Sequence, residues 1–399
     1  MGPLDGVRVV EFANGIHGPY AAMLLADMGA DVIKVEPPHG DLNRSAAVVG
    51  TTLRIGSQFF ACNRNKRVMC VNLATAEGGE IARKLTDRAD VLIENMRPGV
   101  LARLGLGYEA LAERNPRLVY ASATGAGSRG PRALRPSLDL VGQAASGLVA
   151  HTGTVETGPL PVGSAIADHA GAVWLAYGTM LALFARERTG RGQHVETSLL
   201  GSMMALQAWE LSHFFLTGDE PGPAGLGHPL ARGAWRLFRA ADGHFALAGI
   251  TQPRWPLLCQ ALGRQDLHDD PRFATAESRL EQTDELNREL EAEFARWPLI
   301  ELVAKLEAAD QVVSPVASYT DLAERDPQVA ENGYIAQIDS AFGPLRMVGI
   351  PVGLSETPGG IRTLPAELGA HTAEILAELG YSDAEVARVL ASGIAGPEV

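Results

Sequence analysis

Short apolar runs alternate with helix-like stretches from residue 7 onward, and no other feature of the sequence constrains the fold as tightly. Residues 7–12 read as a strand, 13–19 as a turn, 20–28 as a helix closed by Gly29, and 31–36 as a second strand. That is a βαβ unit, and its strands run parallel because a crossover helix carries the chain back to the same end of the sheet. The rhythm continues through a strand at 68–73, an amphipathic helix at 77–89, and strands at 91–94 and 118–122. The expected class is α/β, with a parallel sheet.

A chain of 399 residues exceeds what one core usually serves, so about two domains are expected. Composition shifts at 218–227, where Gly and Pro crowd together. Beyond it lie strand-like segments at 234–239 and 244–248 around Ala241-Asp242-Gly243, then charged helical stretches at 277–296 and 299–308. Residues 1–217 therefore read as a large domain and 218–330 as a smaller α+β domain. Strands resume near Tyr334, and helices at 371–379 and 383–390 close the chain.

The net charge of −13 argues against nucleic acid or an anionic membrane as partner, since either requires a basic face. A phosphate-bearing ligand must find local cations, and Arg64, Lys66, Arg67, Arg97 and Arg103 lie in or near loops at the sheet. Cys62, Cys70 and Cys259 form no C-x-x-C and read as reduced thiols. The histidines show no metal-ligand spacing, so no metal site is expected. No apolar run spans a bilayer and no signal peptide is visible, which makes the cytoplasm the expected location.

Glu36 ends the second strand where a dinucleotide-binding fold places its ribose-binding acid, yet Gly15-Ile16-His17-Gly18-Pro19 is not G-x-G-x-x-G. An NAD-dependent oxidoreductase is thereby disfavoured. The stretch Pro161 to His169 runs straight into an apolar helix at 170–184, so Asp168 arrives at a helix start. Apolar residues on nearly every side predict a buried helix. Asp168 then reads as an N-cap, as a carboxylate kept ionised by the helix dipole and able to act as a nucleophile, or as both. Pro136-Ser137-Leu138-Asp139 starts another helix, expected at 140–150, with Asp139 as its first-turn acid, and 199–216 reads as one long apolar helix.

Six stretches carry a family resemblance: Leu4-Asp5-Gly6-Val7-Arg8-Val9-Val10-Glu11-Phe12, Gly29-Ala30-Asp31-Val32-Ile33-Lys34-Val35-Glu36, Glu94-Asn95-Met96-Arg97-Pro98-Gly99, Thr189-Gly190-Arg191-Gly192-Gln193, Asp269-Asp270-Pro271-Arg272-Phe273 and Leu368-Gly369-Ala370-His371-Thr372. In this order, over nearly the whole chain, they resemble the family III CoA transferases (CaiB/BaiF), with formyl-CoA transferase, carnitine CoA-transferase and α-methylacyl-CoA racemase as relatives. The resemblance implies a Rossmann-like large domain built from both chain ends, so that 331–399 returns to it, a small domain inserted between them, and an interlocked homodimer. It places the nucleophile on Asp168. It places CoA-binding positions on Ile16, His17, Val71, Asn72, Leu73, Asn95, Met96, Arg97, Arg103 and the loop from Thr124. Pro37 and Ala74 stand where the formyl-CoA branch has basic residues, and that branch's Gly-rich loop is absent, which puts formate and oxalate in doubt as substrates.

The activity so implied is transfer of CoA from an acyl-CoA to a carboxylic acid through a covalent aspartyl intermediate, with no cofactor beyond CoA itself as substrate. Backbone N–H groups near Gly15 to Gly18 would face the oxyanion, and His228 and Arg232 would hold the acceptor carboxylate. Racemisation of a 2-methylacyl-CoA is the nearest rival. Racemases of the family carry a His directly before the position of Asp139, and here that residue is Leu138. A CoA-binding protein without catalysis is a third reading.

Overall fold

The computed structural model describes residues 1–45, 55–340 and 343–398. The chain divides into two compact units, one of residues 1–146, 163–206 and 327–399, the other of 147–162 and 207–326. The second unit thus takes in 147–162 as well as the segment that follows Leu206, so the Gly/Pro-rich stretch at 218–227 lies inside it.

The first unit is built on β1 (Arg8–Phe12), α1 (His17–Asp27), β2 (Asp31–Glu36), β3 (Lys66–Cys70), α2 (Ala76–Asp87), β4 (Val91–Glu94) and β5 (Val119–Thr124). After these come α3 (Asp139–Ala145), α4 (Ile166–Thr189) and β6 (His194–Ser198). The six strands form one sheet in the order β3-β2-β1-β4-β5-β6, and every neighbouring pair is parallel. This is the doubly wound order, with its switch point between β1 and β4.

Strand alternation explains the continuous apolar runs. Val10, Ile33, Leu92 and Tyr120 point into one core with α2 and the C-terminal helices Thr372–Glu378 and Asp383–Ala391. Val9, Val32, Val91 and Val119 point into the other, filled by α1 and α4. Each such side chain removed from water contributes about 1.5–3 kcal/mol. The chain end returns to this sheet through Asn65, whose Oδ1 accepts the Arg362 and Thr363 N–H groups at 2.7 and 3.0 Å.

Three expectations are corrected. The helix expected at 140–150 breaks at Ser146 and Gly147, where Gly147 takes φ 94°, and restarts as Leu148–His151. The helix expected at 199–216 is two, Leu199–Leu206 and Ala208–Thr217. The central helix α4 is not buried all round: Val173, Tyr177, Leu181 and Phe184 are about half exposed, while Gly171, Ala172, Leu175 and Ala182 face the core. A helix apolar on every face carries no pattern to say which side stays open.

The second unit has an antiparallel sheet in the order Val313–Pro315, His244–Ala248, Ala231–Arg239, Gly227–His228. Its core gathers Phe238, Phe245, Trp255, Leu290 and Phe294, with Phe294 edge-on to both other phenylalanines. No helix among the described residues is long and apolar enough to cross a membrane.

Candidate active site

The carboxyl ends of β1 and β4 meet at the switch point, where α/β folds bind ligands. Asn95, just past β4, accepts the Asn14 N–H at 3.0 Å through Oδ1 and donates to the Asn14 carbonyl at 2.6 Å through Nδ2. Its amide completes a bridge to the loop after β1. That loop leads into α1, whose N-cap Ile16 supplies no side-chain hydrogen bond. The N–H groups of Ile16, His17 and Gly18 have no acceptor among the described residues. Gly18 is required here, because a Cβ would lie 2.5 Å from that of Ala13.

His17 is buried, and its Nε2 lies 3.1 Å from Thr197 Oγ1. Its ring fills a notch that only Gly171 of α4 leaves open, since a Cβ there would come within 2.6 Å of Nε2. Burial pushes this imidazole down to about 4, the Gly171 backbone offsetting only part, so it is neutral at pH 7. Tyr20 of α1 packs edge-on against His169. The first turns of α1 and α4 are therefore side by side, and Asp168 shares the helix stripe of Gly171, Ala172 and Leu175.

Asp168 is the third residue of α4, not its N-cap. That position is Ala165, which provides no side-chain cap. The cap comes from Asp139 on α3, whose Oδ1 accepts the N–H groups of Ala167 at 2.7 Å and Asp168 at 3.1 Å, while Oδ2 accepts from Gln143 Nε2 at 2.6 Å. The Asp168 carboxylate itself has no hydrogen-bond donor and no ion-pair partner among the described residues. Burial, and then the Asp139 charge, push it up to about 6, with His169 pulling slightly the other way. This is the opposite direction to the one expected from the helix dipole. At neutral pH Asp168 is nevertheless mostly carboxylate, desolvated and unpaired, which suits a nucleophile.

The loop cations divide. Arg64 is committed to Asp27 at 2.7 Å, Lys66 to Glu11 at 2.7 Å, and Arg67 to Asp31 and Glu378. Only Arg97 and Arg103 of the five are exposed with no carboxylate partner among the described residues. Met96, Arg97 and Thr124 line one pocket of about 180 Å³ at the ends of β4 and β5. Leu73 and Met96 both pack against the core formed by Val10, Ile33 and Leu92. Val71 is buried and offers only backbone, and Asn72 turns the chain by accepting the Ala74 N–H. The Thr124 hydroxyl donates to Thr197 O and accepts from Gly127 N–H, so it holds its own loop.

Hydrogen bonding agrees with the disfavoured dinucleotide reading and bears against His228 as an anchor for the acceptor acid. Glu36 has both oxygens occupied, by Arg44 at 2.7 Å each and by the Asp41 N–H, leaving nothing for a ribose. In the second unit, His228 Nδ1 accepts the Leu230 N–H and Nε2 faces Glu210 Oε1 at 2.6 Å, so the ring keeps no N–H for an acceptor carboxylate. Its face is stacked on Trp209 at 4.4 Å. Arg232 borders the adjoining cavity of about 550 Å³. Sequence reasoning missed the capping role of Asp139, the notch at Gly171 and the buried lysines of β2 and β3. A lysine inside an apolar strand, Val32-Ile33-Lys34-Val35, is the one signal that pointed there.

A doubly wound α/β unit with a part-buried carboxylate beside an open helix N-terminus at its switch point has the features of an enzyme's ligand site. Comparison with known proteins makes this particular. Residues 4–372 match the model of CoA-transferase family III. The chain is 37% identical to succinyl-CoA:mesaconate CoA-transferase of Haloarcula marismortui, covering 95% of this chain and 97% of that one. It is 34% identical to succinate–glutarate CoA-transferase of Agrobacterium fabrum over 94% and 96% of the two chains. The crystal structure of a CaiB/BaiF family protein from Brucella suis superposes with a TM-score of 0.86 at 34% identity, over 95% and 99% of the two chains. The protein belongs to CoA-transferase family III and is a CoA-transferase.

Proposed function

We propose that this enzyme moves CoA from an acyl-CoA thioester to a carboxylic acid through an adduct on Asp168. The observation that carries the reading is the Asp168 carboxylate, part-buried, raised to about 6 and without an ion-pair partner or hydrogen-bond donor among the described residues. A carboxylate held this way is not neutralised by the protein and is free to attack.

Asp168 attacks the thioester carbonyl, and the resulting oxyanion is held by the unoccupied N–H groups at the start of α1. CoA leaves as thiolate, giving a mixed anhydride. The thiolate then attacks the aspartyl carbonyl and expels the donor acid, leaving an aspartyl-CoA thioester. The acceptor carboxylate attacks that thioester, CoA leaves again, and its return to the acceptor's acyl carbon frees both acyl-CoA and Asp168. Neutral His17 neither pairs with Asp168 nor quenches it.

Relatives named for succinate, mesaconate and glutarate support short dicarboxylic acids as donor and acceptor acids. Incubation of succinyl-CoA with mesaconate or glutarate should yield the new acyl-CoA without accumulation of free CoA, as read by chromatography. Hydrolysis alone, with every acid tried, would defeat the reading. Two-sided racemisation lacks its second base, because Leu138 stands exposed before Asp139.

Phosphate recognition falls to Arg97 and Arg103. Arg97→Ala and Arg103→Ala should each raise the KM for acyl-CoA about tenfold with kcat within a factor of three, the loss shrinking as salt is added. Unchanged KM in both variants would remove them from the CoA site. The open stripe of Val173, Tyr177, Leu181 and Phe184 supports a homodimer in which a second copy covers it. Sedimentation should give about twice the 42.2 kDa chain mass, and a monomer at micromolar concentration would contradict this.

A further inference from the structure

Beneath the loop between β1 and α1 lies a fully buried ionic cluster that the chemistry above does not use. Lys34 and Lys66 both have side chains with no exposure, and they share Glu11, itself fully buried: Lys34 Nζ reaches Oε1 at 2.9 Å and Lys66 Nζ reaches Oε2 at 2.7 Å. Lys34 also pairs with Asp41 at 3.2 Å. The charges within the cluster cancel. Each ammonium spends its remaining capacity on the polypeptide around the active site: Lys34 donates to the Ala13 carbonyl at 2.6 Å, and Lys66 to the Pro19 carbonyl at 2.8 Å and to Asn63 Oδ1 at 2.8 Å.

Buried ion pairs are poor stabilisers, because packed apolar side chains of the same volume do as well or better. Burial drives the Lys66 ammonium down to about 8, against the pull of Glu11. The reason for a cluster held at such a cost has to be sought in what it grips. The two carbonyls it holds flank the segment that presents the N–H groups of Ile16, His17 and Gly18, and Asn95 pins the same segment at Asn14. Pro19, which has no N–H of its own, offers the chain only its carbonyl as a handle.

We propose that Lys66 is a positioning residue for the transfer reaction, fixing the oxyanion-binding N–H groups at the start of α1 through the Pro19 carbonyl, with Lys34 as the opposite anchor at Ala13. This rests on the aspartyl reading given above. Lys66 touches neither substrate nor Asp168, and its effect is confined to the geometry in which the acyl oxygen is received. Misplacing such donors by about 1 Å costs on the order of 100-fold in rate while leaving CoA itself bound.

The test compares the full-length wild type with Lys66→Met and with the charge-balanced Glu11→Gln/Lys66→Met, which removes one cation and one anion together. Single-turnover formation of the aspartyl adduct from succinyl-CoA is followed by rapid quench and intact mass, and free CoA binding by calorimetry. Both variants should form adduct about 30- to 100-fold more slowly with CoA affinity within threefold of wild type, and the double variant should keep the wild-type melting temperature. A folded double variant with a wild-type adduct rate would overturn the inference alone, as would equal losses in rate and CoA affinity. Absence of any adduct in the wild type would overturn the aspartyl reading and this inference with it.

Discussion

Replacing Asp168 by alanine is expected to stop CoA transfer while the fold persists. The loss should be about 10³-fold or more in kcat, because the nucleophile of a covalent route has no substitute nearby: His17 is neutral and turned to Thr197, and Asp139 is occupied by the start of α4. Stability should not suffer. The folded-state value of Asp168, about 6, lies above its ordinary 3.8, so ionisation opposes folding at every pH above about 6 and that opposition fades as pH falls from 6 towards 3.8. Asp168→Asn should therefore melt a few degrees higher than wild type at pH 7 and at the same temperature near pH 3.5. Calorimetric scans at the two pH values check the sign. A variant that melts lower at pH 7 would mean that Asp168 has a stabilising partner.

Asp139→Asn should move the acid limb of kcat/KM. In the wild type that limb is expected near pH 6, where Asp168 gains its proton and ceases to be a nucleophile. Burial is the larger cause of that elevated value and the Asp139 charge the second, so a neutral amide removes only the second. The limb should fall by roughly one pH unit and stop short of the ordinary carboxylate value. An asparagine oxygen still accepts from the Ala167 and Asp168 N–H groups, which keeps α4 capped. Asp139→Ala removes the acceptor as well as the charge, leaving two N–H groups unsatisfied at a helix start, a loss of about 1–2 kcal/mol, and should lower kcat by roughly 100-fold through the misplaced nucleophile. An acid limb that stays at pH 6 in Asp139→Asn would show that the two carboxylates do not sense each other.

The sheet is legible in the sequence because burial on both faces forces unbroken apolar runs: Val9-Val10, Val32-Ile33 and Val91-Leu92 each send one side chain to either core. Asp168 is legible as an acid at a helix start. Its cap is not, since Asp139 lies 28 residues from Ala167 and nothing local announces the hydrogen bond. The fate of the loop cations is hidden for the same reason. Arg64, Lys66 and Arg67 look like an anion site in a linear string, but Asp27, Glu11 and Asp31 come from neighbouring elements and neutralise them. His228 shows a further limit, because whether an imidazole offers an N–H depends on what its two nitrogens already touch.

The most direct measurement is the intact mass of wild type and Asp168→Ala after rapid mixing with succinyl-CoA and trapping with hydroxylamine. A mass increase in the wild type that maps to the peptide carrying Asp168, and is missing from the variant, is the predicted result. An adduct that forms equally in both proteins, or transfer to an acceptor acid that continues in Asp168→Ala, would contradict the account.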